Sequence, residues 1–338
     1  MTLTLEYLGG GRVARWTLTP DGAAREVHED HHPTLFVGDS AGDLYGRSGG
    51  PDPTPPSRDG LSDALRDLWS FLDGQEAVER LSVEAHRQTF RTDARPLLRI
   101  DAASIDAVRR VASRIEQYGQ PDTYTCYNVD FTRQLRFCLE TDTRAAPDRS
   151  VRDLRTLRLD FPAHESGIES LPQLAVDGDR VGASPGETVA GVQAALDERD
   201  PDVLVVSTAD LVPLLFEATD AYGVDLELGR RDGYSKLAGE STYTSYGNLG
   251  HSPARYAVPG RAIVDEANSF FYHESGLEGC LDLVERSGLP LQELGWASIG
   301  RVLTAMQIRE ARDRDVLVPW RAWRPELFKR ASTLDDAD

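Results

Sequence analysis

The sequence is poor in lysine, in cysteine and in long apolar runs. Lysine supplies only 2 of the 37 basic residues. The three cysteines, Cys126, Cys138 and Cys280, are too few and too scattered for a zinc site or a disulfide framework, so we expect a reduced, cytoplasmic environment. No apolar run approaches the roughly 20 residues that span a bilayer, and we therefore expect no association with a membrane.

The charge balance is strongly acidic, with 56 acidic residues against 37 basic ones and a formal net charge of −19. Abundant aspartate with almost no lysine is typical of proteins adapted to high salt, and the alternative is an ordinary acidic protein. In ordinary salt this charge argues against nucleic-acid binding. At 1 M salt the Debye length shrinks to about 3 Å, so only close arginine contacts count and the objection loses most of its force.

Periodicity predicts two successive folded regions. Up to about residue 150, apolar alternation predicts a hairpin over 3–18 and a helix that begins after Ser104 and ends near Gly119. After a polar stretch, strands are predicted over 154–161, 171–176 and 203–206, with a helix over 211–222. From about 275 the chain reads as helical. A mixed α+β region followed by an α/β region is the predicted fold class.

General catalytic motifs are missing from the sequence. It has no P-loop, no G-x-S-x-G and no H-E-x-x-H pattern. Gly9-Gly10-Gly11 precedes no predicted helix and therefore does not suit a phosphate site. Any enzymatic activity must therefore use residues that belong to none of these widespread motifs.

Several segments resemble archaeal, haloarchaeal-type family B DNA polymerases, and they follow one another in the family's order. The segments are Tyr127–Leu139, Leu154–Phe161, Asp200–Asp210, Leu228–Arg230, Gly260–Asp265 and Leu289–Pro319. The resemblance covers the N-terminal and 3′–5′ exonuclease-like portion of the family. It implies an N-terminal α+β domain over 1–150, a ribonuclease H-like domain over 151–288, and a helical connector toward a palm domain over 289–338.

The exonuclease motifs of the family depart from their pattern in this chain. The resemblance implies two metal ions held by carboxylates, of which Asp160 is present, while Pro162 stands at the place of the accompanying glutamate. The second motif is two residues short around Asp210, and Gly276 follows Tyr272 where an aspartate belongs. Asp160, Asp210 and Glu274 are therefore vestigial catalytic candidates, Asp160 is at most a metal ligand, and Mg²⁺ or Mn²⁺ is implied only if activity persists.

The polymerase signatures of the palm are absent from the sequence. Neither the D-x-x-S-L-Y-P strand nor the Y-x-D-T-D hairpin of the family occurs. The resemblance thus implies the front part of a polymerase without palm, fingers and thumb. A truncated polymerase, a split polymerase and an excised fragment are all compatible with this.

Three functions follow as hypotheses. The first is a DNA-binding or scaffold module of DNA replication or repair, which contacts single-stranded or primer-template DNA. Its candidate contacts are Arg230, Arg231, Tyr234, Lys236, Tyr243 and Tyr272.

The two alternatives use other residues. An active exonuclease would need displaced carboxylates, which are Asp160 and Asp210 with Glu274 or Glu278. A docking subunit for a separately encoded polymerase half would expose Trp320, Trp323 and Phe328.

Overall fold

A computed structural model describes residues 1–39, 57–143, 153–162, 167–245 and 248–321. The chain divides into a first unit of residues 1–29 and 144–306 and a second unit of residues 30–143 and 307–338. This division differs from the predicted boundaries at 150 and 288. In the first unit the amide of Gly260 donates to Oγ1 of Thr4 at 3.3 Å, so the amino-terminal strands pack on the later part of the chain. The roles assigned to the predicted domains stay predictions.

The chain begins with three antiparallel strands, β1 (Thr2–Gly9), β2 (Arg12–Thr19) and β3 (Gly22–His28). The predicted hairpin is confirmed, and β3 extends it by one strand. Gly9 and Gly10 have φ angles of 81° and 59°. Glycine reaches this left-handed region without a steric penalty, which is why the turn falls there.

The second unit contains a four-stranded antiparallel sheet with helices. Its elements are β4 (Thr34–Asp39), a 3₁₀ turn (Arg58–Gly60), α1 (Asp63–Leu72), β5 (Val78–His86), β6 (Arg95–Ala102), α2 (Ile105–Tyr118), β7 (Tyr124–Tyr127) and α3 (Arg133–Glu140). The strand order is β5-β6-β4-β7. The apolar faces of α1 and α2 bury a core with the sheet, which includes Leu35, Leu68, Ile100 and Ile115. The predicted helix start is confirmed, since Oγ of Ser104 accepts a hydrogen bond from the amide of Ala107.

The aromatic residues considered for docking do not form an exposed group among the described residues. Trp320 packs partly buried against the core of the second unit, and its amide donates to the carbonyl of Cys126 at 2.8 Å. Trp323 and Phe328 lie outside the described residues. The described part of the chain therefore gives the docking hypothesis no support.

A buried arginine joins the parts of the second unit. The Arg136 side chain is 1% exposed. Its guanidinium donates to the carbonyl of Thr34 at 2.5 Å, to that of Val129 at 3.2 Å and to Glu140 at 2.9 Å. It also donates to the carbonyl of Asn128. Arginine suits this position because its planar fork offers five donors in fixed directions.

The first unit resumes with a five-stranded mixed sheet. Its strands are β8 (Thr156–Asp160), β9 (Ala175–Val176), β10 (Asp179–Arg180), β11 (Val203–Val206) and β16 (Ala262–Asp265), in the order β10-β9-β8-β11-β16. The strands β8, β11 and β16 are parallel, and β9 and β10 form an antiparallel edge. This is the ribonuclease H-like arrangement that the resemblance implied.

Helices and two small hairpins complete the described chain. They are a 3₁₀ helix (Ile168–Gln173), α4 (Pro185–Arg199), α5 (Leu211–Tyr222), β12 (Ser235–Ala238), β13 (Ser241–Ser245), β14 (Asn248–Ser252), β15 (Arg255–Ala257), α6 (Phe270–Ser287), α7 (Leu291–Leu294) and α8 (Ile299–Asp313). One face of the five-stranded sheet packs on α4 and α5 through a core that includes Leu157, Leu204, Val192 and Leu215. None of the helices in the described ranges combines the length and apolar composition needed to cross a membrane.

The predicted strands and helices of this region are mostly confirmed. The strand over 203–206 and the helix over 211–222 have the predicted bounds. The strand predicted over 171–176 is wrong, because its first half belongs to the 3₁₀ helix that contains Pro172. Proline has no amide hydrogen to donate to a neighbouring strand, and only Ala175–Val176 pair in the sheet.

We expect Arg136→Ala to lower the free energy of unfolding by about 3–5 kcal/mol, because it leaves Glu140 and several carbonyls without their buried donor. Urea unfolding followed by circular dichroism measures this change. The control is Arg109→Ala, since the Arg109 side chain is 71% exposed beside Asp130. An exposed pair contributes about 0–1 kcal/mol. Equal effects of the two substitutions would contradict a structural role for Arg136.

Candidate functional site

Three charged side chains meet on one face of the five-stranded sheet, at the carboxyl ends of its parallel strands. Val206 of β11 pairs with Leu159 on one side and with Asp265 on the other. The residues that follow these partners, Asp160 and Glu266, therefore project from the opposite face, away from α4 and α5. Arg158 shares that face because it precedes Asp160 by two positions on a strand.

Arg158 bridges the two carboxylates. Its Nε lies 2.8 Å and 3.0 Å from the two oxygens of Asp160. Its Nη1 lies 3.0 Å from Oε1 of Glu266, and its Nη2 donates to Oε2. The hydrogen bonds to Glu266, together with the charge of Asp160, raise the pKa of Arg158, so this cation is permanent. We name Arg158, Asp160 and Glu266 the guanidinium bridge.

The guanidinium bridge does not suit a pair of divalent ions. A two-metal site needs several carboxylates that converge on the ions, whereas here both carboxylates already share one fixed positive charge. Pro162, two residues after Asp160, has no ligand atom to offer. Within the described ranges, no group of three or more histidine, cysteine, aspartate or glutamate side chains is placed to hold a metal ion.

The other vestigial candidates lie apart from the bridge. Asp210 is exposed at the start of α5. Burial raises the pKa of Tyr256 and of Asp265, and the charge of Asp210 adds to both shifts. Glu274 and Glu278 are exposed on α6, and Gly276 between them has φ 63° and ψ −165°. This interruption means that Glu274 and Glu278 are not separated by one regular helical turn.

Tyr272 is the predicted contact residue that lies at the guanidinium bridge. It is half-buried on α6, and burial raises its pKa, an effect that Glu266 strengthens and Arg158 opposes. Sequence reasoning missed Arg158 and Glu266. Glu266 directly follows the buried strand β16, and carboxyl ends of parallel strands meet at one edge of a sheet, so this signal was present in the sequence.

A second group of predicted contacts forms an aromatic surface. The ring of Tyr234, which is 42% exposed, lies 4.8 Å from that of Phe216 and 5.8 Å from that of Tyr256. Nζ of Lys236 lies 5.9 Å from the Tyr256 ring. We name these four residues the hairpin surface. Lys236 lies in β12, Tyr256 lies in β15, and Tyr234 directly precedes β12.

The remaining two predicted contacts in this region are Arg231 and Tyr243. Arg231 is exposed next to the hairpin surface in sequence. Tyr243 lies in β13, and its side chain lies outside the described residues. Arg231, Tyr234 and Lys236 are therefore exposed to solvent.

Arg230 has a structural role that argues against its predicted contact with nucleic acid. Its side chain is 10% exposed, and it donates to Asp200 at 3.0 Å, to Asp202 at 2.8 Å and to the carbonyl of Gly260 at 2.5 Å. Asp202 directly precedes β11, and Arg261 directly precedes β16. Arg230 thus ties together the amino ends of the parallel strands, at the edge opposite the guanidinium bridge.

A buried carboxyl group in α7 also escaped sequence reasoning. Glu293 is 0% exposed, and its oxygens make no hydrogen bond with any described residue. Nε of Arg301 lies 3.5 Å from Oε2, and Arg255 is the second positive charge near it. Burial outweighs both arginines and raises the pKa of Glu293 to about 7. The guanidinium carbons of Arg255 and Arg301 lie 4.2 Å and 4.5 Å from the centre of the Trp296 ring.

Comparison with known proteins identifies the fold. The structure is similar to that of the family B DNA polymerase from the hyperthermophilic archaeon Pyrobaculum calidifontis, with 19% sequence identity and a TM-score of 0.61. The similarity covers 95% of this chain and 52% of that polymerase, so the chain spans about half its length. No protein-family model and no curated protein sequence matches the chain. The chain therefore has the fold of a family B polymerase over its N-terminal and exonuclease-like part, as the resemblance implied.

The guanidinium bridge predicts how the chain responds to manganese. We expect the wild-type protein to show no Mn²⁺ binding at the bridge, because the guanidinium of Arg158 is hydrogen-bonded to both Asp160 and Glu266 and puts a fixed positive charge between them. In Arg158→Ala the two carboxylates face each other without a cation, and we expect weak Mn²⁺ binding with a Kd on the order of 1 mM. Electron paramagnetic resonance titration of free Mn²⁺ measures both values.

The control for this titration is Arg158→Ala combined with Asp160→Asn. The double variant lacks one of the two carboxylates and is expected to lose the binding gained by the single variant. Binding of two Mn²⁺ ions by the wild-type protein at Asp160 would contradict the role given to Arg158.

Glu293 predicts a pH dependence of stability. Its pKa is about 7 in the folded chain and near the ordinary 4.5 when unfolded. Because the folded state favours the protonated form, the stabilisation is complete below pH 4.5 and is lost as the pH rises through 7. The loss amounts to about 3 kcal/mol at most.

Glu293→Gln removes this ionisation. We expect the variant to be more stable than the wild type at pH 8, with the difference vanishing near pH 4.5, when urea unfolding is measured across that range. Glu285→Gln, an exposed substitution on α6, serves as the control and should follow the wild type. A constant difference between Glu293→Gln and the wild type at all pH values would contradict the prediction.

Proposed function

We propose that this chain is a nucleic-acid-binding module that has the fold of a proofreading exonuclease and performs no hydrolysis. The ligand class is DNA that presents unpaired bases, either single-stranded or at a primer-template junction. Replication and repair are the processes in which such DNA occurs. The observation that carries the proposal is the guanidinium bridge, in which the single cation of Arg158 pairs with the carboxylates of both Asp160 and Glu266.

The chemistry of phosphodiester hydrolysis supports the proposal that the chain keeps the exonuclease fold without hydrolysing DNA. Two divalent ions stabilise the attacking and the leaving oxygen, and the protein must hold both ions with carboxylates. A guanidinium cannot lower the pKa of an attacking water by direct coordination. The bridge replaces two facing negative charges by a net single one and holds both carboxylates by hydrogen bonds, so the fold does not require the ions.

The hairpin surface supports binding of unpaired bases. Base stacking on an aromatic side chain is worth about 1–3 kcal/mol per base and tolerates any sequence. Tyr234 is exposed for such stacking, and Lys236 and Arg231 are near enough in sequence to reach the backbone phosphates. Arg231, Tyr234 and Lys236 lie within six residues of one another in sequence, so several contacts can form at once.

The acidic composition sets the conditions for binding. With a net charge of −19, long-range repulsion of DNA is strong in dilute salt. We propose that the protein works at molar salt, as in a halophilic archaeon, where the Debye length falls to about 3 Å. Stacking then contributes most of the affinity because it is not screened.

The binding experiment uses the full chain and a fluorescent oligothymidylate at about 0.2 M and about 2 M KCl. We expect anisotropy to show tighter binding at the higher salt, and Tyr234→Ala to lose about 1–3 kcal/mol of binding free energy. Tyr222→Ala is the matched control, because Tyr222 is 41% exposed and lies outside the hairpin surface. An absence of binding at both salt concentrations would overturn the proposal.

A digestion assay addresses hydrolysis directly. The same oligonucleotide, incubated with the protein and Mg²⁺ or Mn²⁺, should remain full length on a denaturing gel. Shortening from the 3′ end that disappears in Asp160→Asn would show an active exonuclease and would refute the non-catalytic assignment. The control is Asp282→Asn, an exposed aspartate paired with Arg286 on α6.

A further inference from the structure

A short segment after α8 joins the two edge strands of the sheet in the second unit. We name this segment, residues 315–320, the strap. The amide of Arg87, directly after β5, donates to the carbonyl of Asp315 at 3.1 Å. The amide of Asn128, directly after β7, donates to the carbonyl of Val318 at 2.8 Å. Because β5 and β7 are the outer strands of the order β5-β6-β4-β7, the strap crosses the sheet from edge to edge.

The strap covers the sheet face that α1 and α2 leave open. Leu317 is 5% exposed and is buried with Phe36, Leu97 and Tyr127. These three residues alternate along their strands with residues of the core under α1 and α2, so they lie on the opposite face. A cavity of about 390 Å³ lies on this face, between the sheet, α3, α8 and the strap. The residues that line it include Phe36, His86, Leu139, Ile308 and Leu317.

One histidine ties the strap to the sheet. The His86 side chain is 20% exposed, its Nδ1 lies 2.6 Å from Oδ1 of Asp315, and its Nε2 lies 3.1 Å from Oε2 of Glu84. Ionised carboxylates can only accept hydrogen bonds, so both ring nitrogens must donate, and only the imidazolium cation has two N–H groups. The geometry therefore requires a protonated His86.

The pKa values of this group agree with the geometry. The hydrogen bond from His86 is the largest influence on Glu84 and lowers its pKa to about 2, so this carboxylate is ionised. Burial opposes the charge of His86, but the hydrogen bonds and the charges of Glu84 and Asp315 outweigh it and raise the pKa of His86 above its ordinary 6.5.

The other elements around His86 contribute few groups that respond to its charge. On β4, the Phe36 ring meets the imidazole edge to face at 4.6 Å. On β6, Arg99 donates to Glu84, and its Nε donates to Asp101 at 2.8 Å. Since Arg99 serves Glu84 whatever the state of His86, the proton on His86 matters most for Asp315. The remaining charged residues that line the cavity are Glu140 of α3 and Arg312 and Asp313 of α8.

We propose that His86 is a proton-dependent latch, which holds the strap against the sheet as a cation and loosens it as a neutral ring. A neutral imidazole has one N–H group for two carboxylates, so either Asp315 loses its donor or Glu84 faces a lone pair. In both cases Asp315 no longer pairs with a cation. The strap then opens more often and uncovers Leu317 and the cavity. This device goes beyond the proposed function and does not depend on it.

Hydrogen–deuterium exchange of the full chain, read by mass spectrometry, measures the opening. Closure is fully stabilised below pH 6.5, and this stabilisation is lost as the pH rises through the raised pKa of His86. Between about pH 5.5 and about pH 9.5, we expect the protection factor of peptides that cover the strap to fall about tenfold, since a hydrogen bond to a charged group contributes about 1.5–3 kcal/mol. Peptides from β6 should keep their protection.

Two substitutions remove the latch from opposite sides. His86→Gln has no ionisable ring, and we expect its strap to show the lower protection at both pH values. Asp315→Asn changes a side chain that is 56% exposed, so it tests the latch even if His86→Gln does not fold. It should abolish the pH dependence of strap protection. The control is His273→Gln, an exposed change on α6, which should behave as the wild type.

Three results would overturn the latch. The first is equal strap protection of the wild type at both pH values. The second is a pH dependence that persists in Asp315→Asn. The third is a parallel loss of protection in β6, which would show that the whole unit unfolds. Failure of the chain to bind DNA would refute the proposed function and leave the latch unaffected.

Discussion

The guanidinium of Arg158 takes up the charge of two carboxylates at the carboxyl edge of the sheet, and the arrangement of this edge depends on it. Asp160 and Glu266 follow strands on either side of β11 and project from the same face, so like charges would repel without a cation between them. A metal ion or an arginine can meet that need. The arginine belongs to the chain and reaches its position as the chain folds, so this edge of the sheet is stable without any ion.

Internal arginines recur throughout the protein. At the amino ends of the parallel strands, Arg230 and Arg261 hold the carboxylate of Asp200 and several carbonyls. In the second unit Arg136 serves the same purpose. The composition explains this, because 35 of the 37 basic residues are arginines, and the fork of arginine satisfies several acceptors at once. Much of the positive charge thus stabilises the fold and does not enter a surface patch for phosphate.

The sequence could predict elements whose pattern is local. The apolar run over 203–206, the helix over 211–222 and the cap at Ser104 follow from neighbouring residues alone. The strand over 171–176 failed because an apolar alternation concealed the effect of Pro172. The fold of the exonuclease-like part followed from ordered resemblance, which local patterns alone do not provide.

The site was harder to predict because its members are distant in sequence. Arg158 and Glu266 are brought together only by the order β8-β11-β16, and this order cannot be read from either strand alone. Arg230 seemed a surface contact because nothing local shows that Asp200 and Asp202 are its partners. Glu293 seemed an ordinary polar residue of a short helix, and only the tertiary packing buries it.

The acidic charge and the aromatic hairpin surface together constrain the DNA binding that we propose. A basic protein gains affinity by releasing counterions from phosphates, and that gain falls steeply with salt. A chain with a net charge of −19 gains little affinity from counterion release, so raising the salt concentration costs it little. Tyr234 on the hairpin surface offers an exposed ring to bases, and stacking is insensitive to screening. Recognition of bases by stacking is therefore the mode of DNA binding that we propose for this chain, and it requires strands whose bases are unpaired.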